Sequence, residues 1–211
     1  MNTSTERLTL QGPAGAIEVL RDAPQADAPV RGIAVIAHPH PLFGGTMDNK
    51  VVQTLARAFV QCGWTAVRFN FRGVGGTAGV HDEGRGEAED FVAVLSQLAG
   101  GTPVALAGFS FGAFVASRAL AGVQAAHRIE QLVLVGTAAS RFDVAAIPAD
   151  LHARALVVHG EQDDTVPLAS VLDWARPQSL PVTVVPGGGH FFHGQLPLLK
   201  GLVVRHLQAA A

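Results

Sequence analysis

The chain has 211 residues, of which 48% are hydrophobic and 15% are charged. This length and composition predict one globular domain, residues 1–211, with a sizeable core. The net charge of −2 comes from 17 acidic and 15 basic residues without basic runs, which argues against a nucleic-acid partner. The first residues lack the apolar core of a signal peptide, and no apolar stretch approaches the ~20 residues that cross a bilayer. We therefore expect a soluble, cytoplasmic protein without a membrane span.

Short apolar runs predict the strands of a mostly parallel sheet, because strands buried on both faces are apolar throughout. Two early segments, residues 7–10 and 17–20, favour an antiparallel edge. In chain order the later runs are residues 33–37, 66–69, 104–107, 132–135, 155–158 and 182–185. The sequence thus predicts about eight strands.

Helical patterns lie between these runs. Apolar residues recur at helical spacing from Val51 to Cys62, and Glu87 opens a second helix whose apolar stripe begins at Phe91. Pro167 starts a short helix, and Pro197 precedes the last one, for which we predict an apolar stripe of Leu198, Leu202 and Leu207. The alternation predicts a doubly wound α/β sheet with helices on both faces and functional groups at the carboxyl ends of its strands. The Ala- and Pro-rich residues 23–29 are expected to join the second strand to the third.

The pentapeptide Gly-Phe-Ser-Phe-Gly at residues 108–112 follows one of these runs and precedes a helical stretch of small residues. This strand-turn-helix context is typical of a nucleophile elbow, in which small neighbours let strand and helix approach. It predicts Ser110 as the nucleophile. The amide of Phe111 at the helix start is predicted to donate to an oxyanion.

A serine nucleophile needs a base and an acid, and both follow in the order Asp, His. His190 comes after the last predicted strand and a glycine-rich loop, and Asp163 comes just past the strand at residues 155–158. Both positions are carboxyl ends of strands. The residues alone leave Asp164 and His193 as alternatives.

With these motifs the chain resembles the α/β-hydrolase superfamily over nearly all of its length. That family's acid loop often reads Gly-x-x-Asp-x-x-Val-Pro, which falls on residues 160–167 and favours Asp163 over Asp164. The segment Gly-His-Phe-Phe at residues 189–192 is similar to the family's histidine loop. The resemblance implies a catalytic triad of Ser110, Asp163 and His190.

The segment His-Pro-His-Pro at residues 38–41 is similar to the His-Gly-x-Pro oxyanion motif of the family, with proline in place of glycine. The resemblance implies that the amide of His40 is the second oxyanion donor, with Leu42 or Phe43 as alternatives. The residues after the fourth strand also resemble a segment beside the site, where Arg72 is expected to brace loops.

Other readings of the sequence are weaker. His38, His40, His81, His190 and His193 would make a zinc site if their loops converged, but no ligand spacing supports it. The glycine-rich residues 73–79 are not followed by the apolar helix of a dinucleotide site. The triad requires no cofactor.

Within the superfamily the chain resembles small lidless bacterial serine hydrolases related to the dienelactone hydrolase group. That resemblance implies a carboxylesterase-like enzyme acting on a small-molecule ester, with an open site that favours short acyl groups. A thioesterase or an acyltransferase would use the same triad. A binding protein that keeps the fold without turnover is the alternative from another class.

Overall fold

The computed structural model describes residues 5–24 and 30–209. Eight strands and five α-helices alternate within these residues. The strands are β1 (Thr5–Gly12), β2 (Gly15–Asp22), β3 (Gly32–Ala37), β4 (Trp64–Phe69), β5 (Val104–Phe109), β6 (Ile129–Val135), β7 (Ala155–Gly160) and β8 (Val182–Val185). The helices are α1 (Lys50–Gln61), α2 (Arg85–Leu98), α3 (Phe111–Gln124), α4 (Leu168–Ala175) and α5 (Leu196–Ala209).

The eight strands form one sheet in the order β1-β2-β4-β3-β5-β6-β7-β8. The hairpin of β1 and β2 is antiparallel, and β2 runs antiparallel to β4. All other neighbours are parallel, from β4 to β8. The predicted fold class, including the antiparallel edge, is confirmed.

Burial explains the strand patterns. Every residue of β3 and β5 is buried, as a continuous apolar run in the middle of a parallel sheet requires. At the edge of the sheet, the first three residues of β1 are exposed, and half-buried and exposed residues alternate from Leu8 to Gly12. Most strands extend one to a few residues beyond their predicted runs, because polar residues such as Thr65 and His159 also pair within the sheet.

Helices cover both faces of the sheet. One apolar layer includes Phe91 of α2 and Phe114 of α3, and the other includes Phe59 of α1 and Leu199 of α5. The predicted stripe of α5 is wrong in part, since Leu198 is 44% exposed. The buried residues of that helix are Leu199, Val203 and Leu207.

The connections after the parallel strands open at one edge of the sheet, where the predicted functional residues lie. The predicted connection between β2 and β3 falls largely on residues 25–29, which lie outside the described residues. In the part of the chain that the structure describes, none of the helices is long and apolar enough to span a membrane.

Candidate active site

Ser110 lies in a tight turn between β5 and α3. Its backbone has φ 57° and ψ −116°, a conformation that residues other than glycine rarely adopt. Its amide donates to the carbonyl of Val135 in the neighbouring strand at 2.8 Å, which fixes the turn against the sheet. Phe111 is the first residue of α3, so no carbonyl within the helix accepts from its amide. The turn therefore presents a hydroxyl beside a helix-start amide.

Two glycines permit this turn by allowing close backbone contacts. A Cβ on Gly108 would lie 2.2 Å from the carbonyl oxygen of Gly112, and a Cβ on Gly112 would lie 2.3 Å from the carbonyl oxygen of Ala37. Rotation of a side chain relieves neither contact, because both partners are backbone atoms. The glycine spacing of the sequence motif is thus a packing requirement where β5, α3 and the end of β3 meet.

His190 connects the serine to a carboxylate. Its Nε2 lies 2.9 Å from Oγ of Ser110, and its Nδ1 lies 2.7 Å from Oδ2 of Asp163. An ionised carboxylate only accepts hydrogen bonds, so Nδ1 carries the proton and the Nε2 lone pair faces the serine hydroxyl. Ser110, His190 and Asp163 are 8%, 4% and 7% exposed. The three side chains form one hydrogen-bonded chain that is largely shielded from water.

The acid loop after β7 holds Asp163 through its other oxygen. Oδ1 accepts from the amides of Thr165 at 3.0 Å and Val166 at 2.7 Å. Burial by itself would raise the pKa of Asp163, but the hydrogen bonds from His190 and the Val166 amide outweigh it, so the pKa lies below its ordinary value. Asp163 is therefore an ionised carboxylate with a fixed orientation.

The two sequence alternatives lie outside this chain of hydrogen bonds. Asp164 is exposed, and its Oδ1 accepts from the Thr165 hydroxyl at 3.3 Å. His193 is exposed, and its ring lies 5.9 Å from that of Phe191. The structure brings Asp163 and His190 to Ser110, as the sequence motifs predict.

The loop after β3 packs on the elbow. His40 begins a short 3-10 helix over Pro41–Phe43, and its ring lies 4.7 Å from that of Phe111. The Leu42 amide donates to Nδ1 of His40 at 3.3 Å, and the Phe43 amide donates to the carbonyl of His40 at 3.1 Å. Both alternative oxyanion amides are thus engaged within the loop.

Comparison with known proteins identifies the fold family. Residues 28–149 match the family model described as serine aminopeptidase, S33. The chain belongs to this family of α/β hydrolases. An α/β serine hydrolase without a lid from Xanthomonas campestris is 37% identical with a TM-score of 0.87, and the match covers 99% of this chain and 96% of that one. An α/β serine hydrolase homologue from Coxiella burnetii is 38% identical with a TM-score of 0.81, covering 98% and 99%.

A curated relative matches a shorter part of the chain. An uncharacterized protein of Rickettsia prowazekii (strain Madrid E) is 45% identical over 114 residues, which are 52% of this chain and 47% of that protein. The chain thus matches about half the length of this relative. Family and fold support hydrolase activity in general.

This α/β hydrolase has no lid domain over its described residues. The connection from β6 to β7 contains a short 3-10 helix, Ala149–Arg154, as its one regular element.

Arg72, in the loop after β4, donates twice to Asp90 of α2, at 2.8 and 2.9 Å. Arg72 therefore braces a loop against a helix, as predicted.

The aromatic residues of the loops around Ser110, His40 and His190 divide into two groups. Phe109, Phe111 and Phe192 are buried and pack the loops onto the sheet. Phe43 and Phe191 are 76% and 43% exposed. Their rings lie 4.8 Å from that of His40 and 5.0 Å from that of His190, respectively.

Two further histidines, His38 and His81, lie against local polar groups. His38 donates from Nδ1 to the Pro39 carbonyl at 2.6 Å and accepts at Nε2 from the Phe71 amide at 2.9 Å. Burial lowers the pKa of His38 to about 4, so its ring is neutral. His81 lies with Nδ1 3.0 Å from the buried carboxylate of Glu87. Across residues 5–24 and 30–209, no group of three or more His, Cys, Asp and Glu side chains is placed to hold a metal ion.

Sequence reasoning missed two residues beside the site. Gly136, with φ +56°, follows β6, and a Cβ there would lie 3.3 Å from Cε1 of His190. A glycine directly after a buried strand was the available signal for this close approach. His159, within β7, lies with Nε2 3.5 Å from Oδ2 of Asp163. Its signal was an ionisable side chain inside an apolar strand.

Proposed function

We propose that the protein is a serine esterase that cleaves carboxylic esters with short acyl groups through an acyl-enzyme on Ser110. The observation that carries this proposal is the continuous hydrogen-bonded chain from Ser110 through His190 to Asp163. A hydroxyl, an imidazole and a carboxylate in this order are the minimum set for nucleophilic attack on a carbonyl.

In the proposed reaction the Nε2 lone pair of His190 takes the proton of Ser110 as Oγ attacks the ester carbonyl. Asp163 holds the imidazole in the required tautomer and stabilises the imidazolium that forms. The imidazolium then protonates the leaving alcohol, which leaves the acyl group on the serine. Water attacks this acyl-enzyme by the same route and releases the acid.

The oxyanion of each tetrahedral intermediate would be held by the amides of Phe111 and His40. The Phe111 amide stands at the start of α3, where the helix dipole favours negative charge. The contact of Gly112 with the backbone of Ala37 brings the β3 loop against the elbow, which supports His40 as the second donor. The engaged amides of Leu42 and Phe43 point to the same choice.

The proposed substrate class follows from the surroundings of the serine. Without a lid, no closed tunnel selects a long acyl chain. The exposed rings of Phe43 and Phe191 offer apolar surface for a small acyl or alkoxy group. The substrate would be a small-molecule ester.

The test is the hydrolysis of p-nitrophenyl esters of increasing acyl length by the wild type and Ser110→Ala. We expect short esters to be hydrolysed fastest and the variant to lose at least about 10³-fold in kcat. Aminoacyl p-nitroanilides, thioesters and added alcohol acceptors in parallel separate esterase activity from peptidase, thioesterase and acyltransferase activity.

Equal rates in the two proteins would refute the serine mechanism. If neither protein hydrolyses any ester, a fluorophosphonate probe decides between a narrow substrate and a binding protein. Labelling of the wild type but not of Ser110→Ala would support a serine hydrolase with a narrow substrate. Absence of labelling in both proteins would favour a binding protein.

A further inference from the structure

His159 is a buried ionisable residue that the proposed mechanism does not use. It is the second-last residue of β7, is fully buried and pairs with Val184 of β8. The four residues that precede it in β7 are apolar. The loop that carries Asp163 follows directly after Gly160. A polar group in such a position costs stability unless a hydrogen bond compensates it.

One ring nitrogen has such a partner. Nε2 lies 2.9 Å from the carbonyl oxygen of Val166, which only accepts, so Nε2 carries the proton. Nδ1 is buried and has no hydrogen-bond partner among the described residues. Burial lowers the pKa of His159, more than the Val166 hydrogen bond and the charge of Asp163 raise it. The ring is therefore a neutral donor with a defined tautomer.

The same N–H faces the acid of the hydrogen-bonded chain. Nε2 of His159 lies 3.5 Å from Oδ2 of Asp163, the oxygen that also accepts from His190. At this distance the contact is electrostatic rather than a full hydrogen bond. It places the positive end of a fixed dipole beside the carboxylate in a region shielded from water.

Val166 connects the two residues through both of its backbone groups. Its amide donates to Oδ1 of Asp163 at 2.7 Å, and its carbonyl accepts from His159. The imidazole thereby ties the far end of the acid loop to β7, while the near end is continuous with that strand. The loop that carries Asp163 is held at both ends.

We propose that His159 is a positioning residue that fixes the carboxylate of Asp163 toward His190. It acts through the Val166 carbonyl and through its own N–H dipole, and it touches neither Ser110 nor a substrate. The inference rests on the proposed function in taking Asp163 as the acid of the triad. Its chemical requirement is one hydrogen-bond donor at the position of Nε2.

Three substitutions test this requirement. His159→Leu removes the donor at similar size, and His159→Gln places an amide N–H close to the position of Nε2. His159→Asn keeps an amide but places its donor nearer to Nδ1, and it replaces the leucine variant if that chain does not fold. His206→Leu is the matched control, because His206 is a half-buried histidine of α5 whose Nε2 lies 3.4 Å from the Arg154 carbonyl.

We expect His159→Leu or His159→Asn to lower kcat for the best ester by about 10–100-fold with KM unchanged, the range typical of lost supporting contacts. His159→Gln should recover most of that loss, and His206→Leu should leave kcat unchanged. The low-field proton resonance of the short Nδ1–H bond of His190, measured without substrate, should weaken in the leucine or asparagine variant and return in the glutamine variant.

The inference is overturned if the variant without the donor keeps both the wild-type kcat and the resonance, even when it melts at a lower temperature. It is also overturned if His159→Gln is as impaired as His159→Leu. A wild type that hydrolyses no ester counts against the proposed function instead, and the resonance then tests the role of His159 alone.

Discussion

Replacing Gly112 with alanine tests the close contact on which the elbow depends. The added Cβ would lie 2.3 Å from the carbonyl oxygen of Ala37 and 2.6 Å from that of His38. An ordinary carbon-to-oxygen contact is about 3.3–3.6 Å, so the backbone must separate by roughly 1 Å. Overpacking of this kind costs about 1–3 kcal/mol, which lowers Tm by about 2–12 °C in a chain of this size. A shift of about 1 Å near reacting groups costs about 10²-fold in rate.

Gly201 of α5 supplies a matched control. A Cβ there would meet no atom closer than Nη1 of Arg205 at 3.8 Å, so alanine fits without displacement. Alanine in the interior of a helix is favoured over glycine by about 1 kcal/mol, which predicts that Gly201→Ala raises Tm. The same substitution should therefore change stability in opposite directions at the two positions. Thermal melting followed by circular dichroism measures the change in Tm of both variants, and ester hydrolysis measures the loss of rate in Gly112→Ala.

The reasoning fails if Gly112→Ala melts at or above the temperature of the wild type. It also fails if the variant is destabilised but retains its full rate, because the β3 loop would then have moved without disturbing the site. If Gly201→Ala also lowers Tm, the loss of stability in Gly112→Ala cannot be assigned to the close backbone contact alone.

Two further measurements follow from the same structure. Because Ser110 has φ 57°, glycine fits its backbone conformation better than alanine, and Ser110→Gly should be more stable than Ser110→Ala by about 1 kcal/mol of unfolding free energy. Both variants should lose activity. Equal melting temperatures would contradict a strained backbone at Ser110. Since the pKa of His38 falls from 6.5 to about 4 on folding, only the unfolded chain takes up this proton between those values, so stability decreases as the pH falls through that window. Once the pH is below both pKa values, His38 has lowered the free energy of unfolding by roughly 3 kcal/mol. Denaturant unfolding from pH 7 to 4 should show a shallower loss for His38→Gln, and an unchanged slope would refute a buried neutral ring.

The sequence was most informative where function and local structure use the same residues. The glycines around Ser110 predict the elbow because the turn needs them within five residues of chain. The positions of the parallel strands along the chain follow from continuous apolar runs, since a parallel sheet covered on both faces leaves no polar alternation. Position at strand ends made Asp163 and His190 candidates, and the resemblance to the acid and histidine loops of α/β hydrolases favoured them over Asp164 and His193. The structure brings both side chains to Ser110.

The parts that sequence analysis missed depend on contacts between distant segments. In α5 apolar residues occur on more than one face, so periodicity did not separate the exposed Leu198 from the buried Leu199. Gly136 matters only because the loop after β8 places the ring of His190 against its Cα. Glu87 resembles an exposed acid of a first helical turn, yet it is fully buried, where it accepts from the amides of Asp82 and Gly84.

On the proposed function, the exposed rings beside Ser110 and the buried chain of Ser110, His190 and Asp163 would place different demands on a substrate. The three side chains are shielded from water, so the charge on Asp163 acts on His190 in a medium of low dielectric constant. The rings of Phe43 and Phe191 remain in water, because no lid covers them. On the proposed function, a small acyl group would cover only part of these rings, at about 25 cal/mol per Å² of apolar surface removed from water. Selection among esters would then depend on these two rings and on the oxyanion amides, rather than on enclosure of the acyl chain.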